Sequence, residues 1–174
     1  MNQVIKNNGN NQWLHLAFGI VMLISFFLPW VAWEGNTISG YAMPAGDFFA
    51  ISESKFGLGN PFPQYNFSLL IFWLIPVLIV IVVALSLLNK KSALFVFIAC
   101  TLSLALITVF ILFTKTLLSL GVGKSIFSML KPGIFLHGLA AIGFIFSVPT
   151  SGWLKKAGWL LAGPIFALAS FLFI

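Results

Sequence analysis

All three acidic side chains of this 174-residue chain, Glu34, Asp47 and Glu53, fall within one short stretch, and none lies in the long apolar runs around it. Nine lysines and no arginine make up the remaining charge, and 60% of the residues are apolar. Too few polar groups are present to cover a globule of this size with a water-compatible surface. Hydrocarbon is the solvent that suits such a composition, and each crossing of a bilayer core takes about 20 predominantly apolar residues. The sequence therefore predicts an all-α polytopic membrane protein with four or five transmembrane helices, five preferred. It adds one long extramembrane loop over residues 34–66 and a short interfacial helix.

Residues 1–12 are polar and Asn-rich and are read as a mobile N-terminal tail; residues 13–174 are read as a single transmembrane domain. The first span, 13–33, has His15 and Ser25 as its polar breaks. It is longer than the apolar core of a secretory signal. It also ends in Leu28-Pro29-Trp30, not in a small-residue cleavage site, so it is read as uncleaved. Trp30 and Trp33 mark its exit, because indole rings concentrate at the membrane–water boundary. The second span, 67–88, contains Pro76, which removes a backbone donor and predicts a bend. The turn Asn89-Lys90-Lys91-Ser92 is so short that the second span and the third, 93–114, form an antiparallel hairpin. The fourth span, 133–149, opens on Pro132-Gly133; the fifth, 157–174, is interrupted by Gly163-Pro164.

Two connections are more than turns. In segment 115–131, Lys124, Ser128 and Lys131 recur at helical spacing, the pattern of a helix lying in the interface. Loop 34–66 mixes Gly, Pro, Ser and Asn with Phe48, Phe49, Ile51 and Phe56, more aromatic residues than a flexible linker carries. It is read as a folded cap on the bilayer surface, with residues 37–41 as a candidate strand.

Five alternating spans put the pairs Lys90-Lys91 and Lys155-Lys156 on one side, where they meet anionic headgroups. That side is read as cytoplasmic together with the N-terminus, which places loop 34–66 outside. Lysine, Asn, Ile and Phe in abundance without arginine fit an AT-rich coding sequence, and with it a bacterial cytoplasmic membrane.

The same composition counts against several chemistries. No span holds an Asp, Glu or Arg, the groups that ion-coupled carriers commonly place within the bilayer. Antiparallel first and fourth spans would set His15 and His137 near opposite faces, on the order of 20 Å apart, too far to share a metal or a haem iron. A single cysteine, Cys100, allows neither an intrachain disulfide nor a multi-Cys zinc site. Glu34, Asp47 and Glu53 match no calcium loop and are read as solvated acids available for loop interactions. A serine nucleophile needs a base within reach, and no Gly-x-Ser-x-Gly elbow occurs. No cofactor, metal, nucleic acid or catalytic activity is expected.

Helix-packing signals are clearer. Thr101, Ala105 and Thr108 form a small-residue stripe; Gly163, Ala167 and Ser170 repeat it, and Gly138 with Ala141 gives a shorter version. Such stripes let membrane helices approach closely.

A first span followed by a Trp-bearing outer loop, carried by Trp30, Trp33 and Gly40, resembles the claudin-type tetraspan layout. The loop cysteine pair of that family is missing and a fifth apolar segment follows, so no function is carried over. The expectation is a non-catalytic integral-membrane subunit that packs against and supports a larger complex of membrane protein subunits. The alternative is a small homo-oligomeric channel or transporter, with Pro76 and Pro164 as helix breaks and the Thr101–Thr108 stripe as its polar face. A membrane enzyme using His137 is a third class.

Overall fold

Long runs of Leu, Ile, Val, Phe and Ala can satisfy their backbone polar groups away from water only within the segment itself, and they fold as helix. The computed structural model describes residues 2–33, 35–57, 69–119, 126–149 and 152–172, and these are mostly helical. In chain order the elements are α1 (Asn2–Phe27), β1 (Pro29–Trp33), β2 (Asn36–Ser39), α2 (Ala42–Ala45) and α3 (Asp47–Phe56). A 3-10 turn, Leu70–Trp73, then leads into α4 (Leu74–Leu87). Next come α5 (Ala93–Ser119), α6 (Ile126–Met129), α7 (Pro132–Phe146) and α8 (Trp153–Leu172).

Side-chain pairings fix the direction of each long helix. Gly19 of α1 faces Ile79 and Val83 of α4, while Phe26 meets Trp73, so these two helices run antiparallel. His15 meets Phe144 and Ser25 meets His137, so α1 and α7 are also antiparallel. Phe97 of α5 stacks on Trp159 of α8, with ring centroids 5.6 Å apart, and Gly163 lies beside Thr101 one turn further along both. Those two helices are therefore parallel. Helix α5 touches α4, α7 and α8 and forms the spine of the bundle.

The two ends of the bundle differ in kind. One carries the connections that follow α4 and α7. Asn89 takes a left-handed φ there, which asparagine tolerates. The other end carries the cap. Strands β1 and β2 pair antiparallel, and Val31 also bridges Leu130. Two backbone bonds fasten this cap: Tyr41 N–H donates to Phe26 O at 3.2 Å, and Lys131 N–H to Trp30 O at 2.7 Å. Phe48 and Phe49 turn inward onto Phe110 and Phe113, which makes the segment 42–57 a folded part of the molecule.

Several sequence expectations change at their edges. The first span, read over 13–33, is helical only to Phe27. Pro29 brings the chain into β1, and Trp30, expected at the boundary, is fully buried. Helix α1 also begins at Asn2, within the segment read as a tail. The third helix continues to Ser119, so the first residues of segment 115–131 extend α5, and α6 covers only Ile126–Met129. Lys124 lies outside the described residues. Pro76 falls in the first turn of α4, where its missing donor is tolerated. The irregularity sits just upstream as the 3-10 turn. Pro164 does not end α8, which runs through it to Leu172.

Among the described residues, two helical stretches are long and apolar enough to cross a membrane, Leu70–Leu87 and Ala93–Thr116, and less than half of each is buried within the protein. Two shorter apolar stretches, Trp13–Phe27 and Pro132–Phe146, lie beside them.

Candidate functional site

Among the described residues, the densest polar arrangement inside the bundle joins the C-terminal turns of α1 to α7 and β1. His137 is completely buried, with its Nδ1 3.0 Å from Ser25 Oγ and 3.0 Å from the Met22 carbonyl oxygen. A carbonyl can only accept, so the proton resides on Nδ1, and Nε2 keeps its lone pair. The Ser25 hydroxyl in turn donates to Met22 O at 3.0 Å, and the Trp30 indole N–H donates to Ser25 O at 2.8 Å. Aromatic rings enclose the imidazole: Trp30 at 5.1 Å and Phe26 at 6.0 Å between centroids, with Phe110 behind Trp30 at 5.2 Å. Gly40 makes room for this, because a Cβ there would come within 2.6 Å of the Trp30 ring.

A serine beside a histidine suggests a nucleophile and its base, but the protons are arranged the wrong way for that. A general base must offer a lone pair to the hydroxyl. Here the nitrogen facing Ser25 carries hydrogen, and the hydroxyl hydrogen is directed to a backbone carbonyl. The group acts as a cross-brace between three elements. His137 Nε2, Ser103 Oγ and Thr114 Oγ1 are the buried side-chain polar atoms without a hydrogen-bond partner among the described residues.

His15 sits at the other end of the same helix pair, bonded through Nδ1 to Ser147, whose hydroxyl also donates to Phe144 O at 2.6 Å. Nearly three helical turns separate His137 from Ser147, roughly 15 Å at about 1.5 Å per residue. The two histidines therefore occupy separate environments, and no cluster of three or more His, Cys, Asp or Glu exists among the described residues. Cys100 is buried on α5.

The small-residue positions divide by partner. Gly163 packs directly against the Thr101 carbonyl and the Ala105 amide, so α8 rests on the backbone of α5. The Thr101 hydroxyl donates to Trp159 O at 2.9 Å. That carbonyl is next to the one at Leu160, which Pro164 leaves without its helical donor. Ala105 and Ala167 are buried in this contact. Thr108 bonds back to Leu104 O and Ser170 to Phe166 O, the latter on the exposed side of α8. Gly138 faces Ile107, and Ala141 is fully buried.

Among the described residues, charged positions are peripheral with one exception. Asp47 and Glu53 are exposed on α3, and Glu34 lies outside the described residues. Lys90, Lys91 and Lys155 are exposed, the last with its ammonium 5.8 Å from the Phe97 ring centroid. Lys156 is buried, and its Nζ donates to Phe146 O at 3.0 Å. It thereby closes the C-terminus of α7, a place where lysine commonly meets the last carbonyls. Sequence reasoning sets the two histidines apart but has no access to Ser25 as the partner of His137, since contacts between distant segments leave no local pattern.

The chain matches no known family, curated protein or solved structure.

Proposed function

We propose that this chain is a five-helix integral membrane protein that serves as a non-catalytic subunit, packing against and supporting a larger membrane complex. The observation that carries the membrane reading is the apolar outer surface. Ile20 and Ile24 of α1, Val77 and Val80 of α4, Leu139 of α7, and Ile165 and Phe166 of α8 are all exposed. Soluble monomers rarely expose contiguous apolar surface on this scale. The apolar parts of α1 and α7 are about 22 Å long at about 1.5 Å per residue, short of a core of about 30 Å. Buried Trp30, Val31 and Ile38 of the hairpin continue that apolar column where the two helices stop.

The subunit reading is supported by how the interior is used. Ser25, His137, Trp30 and Thr101 are committed to holding helices together. Gly158, Ala162 and Ala169 of α8 are also exposed, on the face that carries Ile165. The channel reading has less support, since its one polar stripe spends Thr101 on α8 and Thr108 on its own helix.

The test is affinity purification of the full chain from native membranes in mild detergent, with quantitative mass spectrometry and native mass. Other subunits in fixed stoichiometry support the accessory role. Recovery of the chain alone as a defined homo-oligomer overturns it and directs attention to flux assays in liposomes.

A further inference from the structure

The apolar belt of the bundle is not equally tall all round. On α5 the bracketing charges are Lys91, just before the helix, and Lys115, about 36 Å apart at about 1.5 Å per residue. On α7 they are Lys131 at its start and the Lys156 ammonium, held 3.0 Å from the Phe146 carbonyl at its end. That interval is about 22 Å. Helix α1 matches α7: its apolar stretch, Trp13–Phe27, follows Asn10-Asn11-Gln12 and gives way to β1. The hairpin does not raise the belt here. Its apolar residues Trp30, Val31 and Ile38 are buried, and the described residues exposed beyond Pro29 are Gly35 and Thr37. Helices α1 and α7 are packed together and share one flank, whereas α4 and α5 share another.

A bilayer core of about 30 Å suits α4, and α5 fits it by tilting. It exceeds α1 and α7 by about 8 Å, and tilting would only shorten their reach. A short apolar stretch is accommodated by thinning of the bilayer, by snorkelling or by oligomerisation. Lys156 cannot snorkel outward while it is held on the Phe146 carbonyl and over the Phe146 ring. The exposed face of the flank is bulky, with Ile20 and Ile24 of α1 and Phe135, Leu139, Ile142 and Phe146 of α7. Membrane helices associate more readily through small residues, so this face suits acyl chains. We propose that the α1–α7 flank thins the bilayer beside it and takes phospholipids of shorter acyl chain than the α4–α5 flank does. This inference rests on the membrane location proposed above.

The experiment is nitroxide depth measurement on the full chain in dioleoyl phosphatidylcholine vesicles, reading collisions with oxygen and with a water-soluble nickel chelate. In a Cys100→Ala background, single labels are placed at the exposed ends of two helices: Leu14→Cys and Phe27→Cys on α1, Leu70→Cys and Leu87→Cys on α4. The α1 pair is about 20 Å apart and the α4 pair about 26 Å. With thinning, all four labels report the same depth at the hydrocarbon boundary. In an undeformed bilayer the two α1 labels together lie about 6 Å deeper than the two on α4, and that result overturns the proposal. Labels on α1 shielded from both reagents by a second copy or another protein also overturn it. Where an α1 variant fails to fold, Phe135→Cys and Phe146→Cys on α7, about 16 Å apart, give the same comparison. Labels at Ile20→Cys and Val80→Cys, exposed near the middle of α1 and α4, separate the two levels. If these collide with the nickel chelate in preference to oxygen, the membrane reading itself fails. If they report lipid while the α1 ends lie deep, only the thinning fails.

Discussion

The Nδ1 of His137 lies 3.0 Å from the carbonyl oxygen of Met22, a bond that joins α7 to α1 across 115 positions of sequence. Ser25 and Trp30 complete the brace, so the first helix, the hairpin and α7 share one hydrogen-bonded junction.

Trp30→Phe keeps an aromatic ring but removes the donor to Ser25 O. A buried carbonyl left without its partner costs about 1–3 kcal/mol. Ser25→Ala leaves Nδ1 its bond to Met22 O and should cost less, about 1 kcal/mol. Reversible unfolding in mixed micelles, followed by circular dichroism, should rank wild type above Ser25→Ala and Ser25→Ala above Trp30→Phe. The reverse order of the two variants would refute the brace.

Gly163 is a point of direct backbone approach between α8 and α5, and any side chain there meets the Thr101 carbonyl, which cannot swing aside as a flexible side chain can. Gly163→Leu should lower stability by about 1–3 kcal/mol or more, as overpacking does. Thr101→Val removes only the donor to Trp159 O and should cost about 1 kcal/mol. Thermal aggregation of the detergent-solubilised protein measures both. A Gly163→Leu protein as stable as wild type would mean that the helices do not meet there.

Cys100 is the sole cysteine and is fully buried on α5. Maleimide should leave the folded protein unlabelled and react to one equivalent per chain after denaturation in SDS. Rapid labelling of the native protein would contradict the central position of α5.

Opposite ends of the bundle should lie on opposite sides of the membrane. In a Cys100→Ala background, Asp47→Cys should react with an impermeant thiol reagent added outside intact cells, and Lys90→Cys only after the membrane is opened. Reaction of both from the same side would refute the alternating topology; the inverse pattern would reverse the orientation.

The middle of the chain is its more legible part. The run from Leu70 to Leu87 and the turn at Asn89–Ser92 follow from apolar length and a short polar break alone, and both are present. The end of the first helix is not legible, because Pro29–Trp33 is as apolar as the helix before it. A short apolar run does not distinguish strand from helix without knowledge of its partner. That partner is Asn36–Ser39, which overlaps the candidate strand at 37–41. The small-residue stripes announce close approach but not with whom. Only the fold brings Gly163 of one stripe onto Thr101 and Ala105 of another. Lys156 reads in sequence as a surface lysine flanking a span, and its turn inward depends on where α7 ends.

The antiparallel seating of α1 against α7 has a consequence for how the protein is made. Synthesis delivers Met22 and Ser25 long before His137. Through that interval the first helix has α4 as its main long neighbour among the described residues, and Ser25 stays without its imidazole partner. Closure is a late event, and contacts between such distant segments slow it further. A chain halted before α7 emerges would be a partial bundle with an open seam along α1.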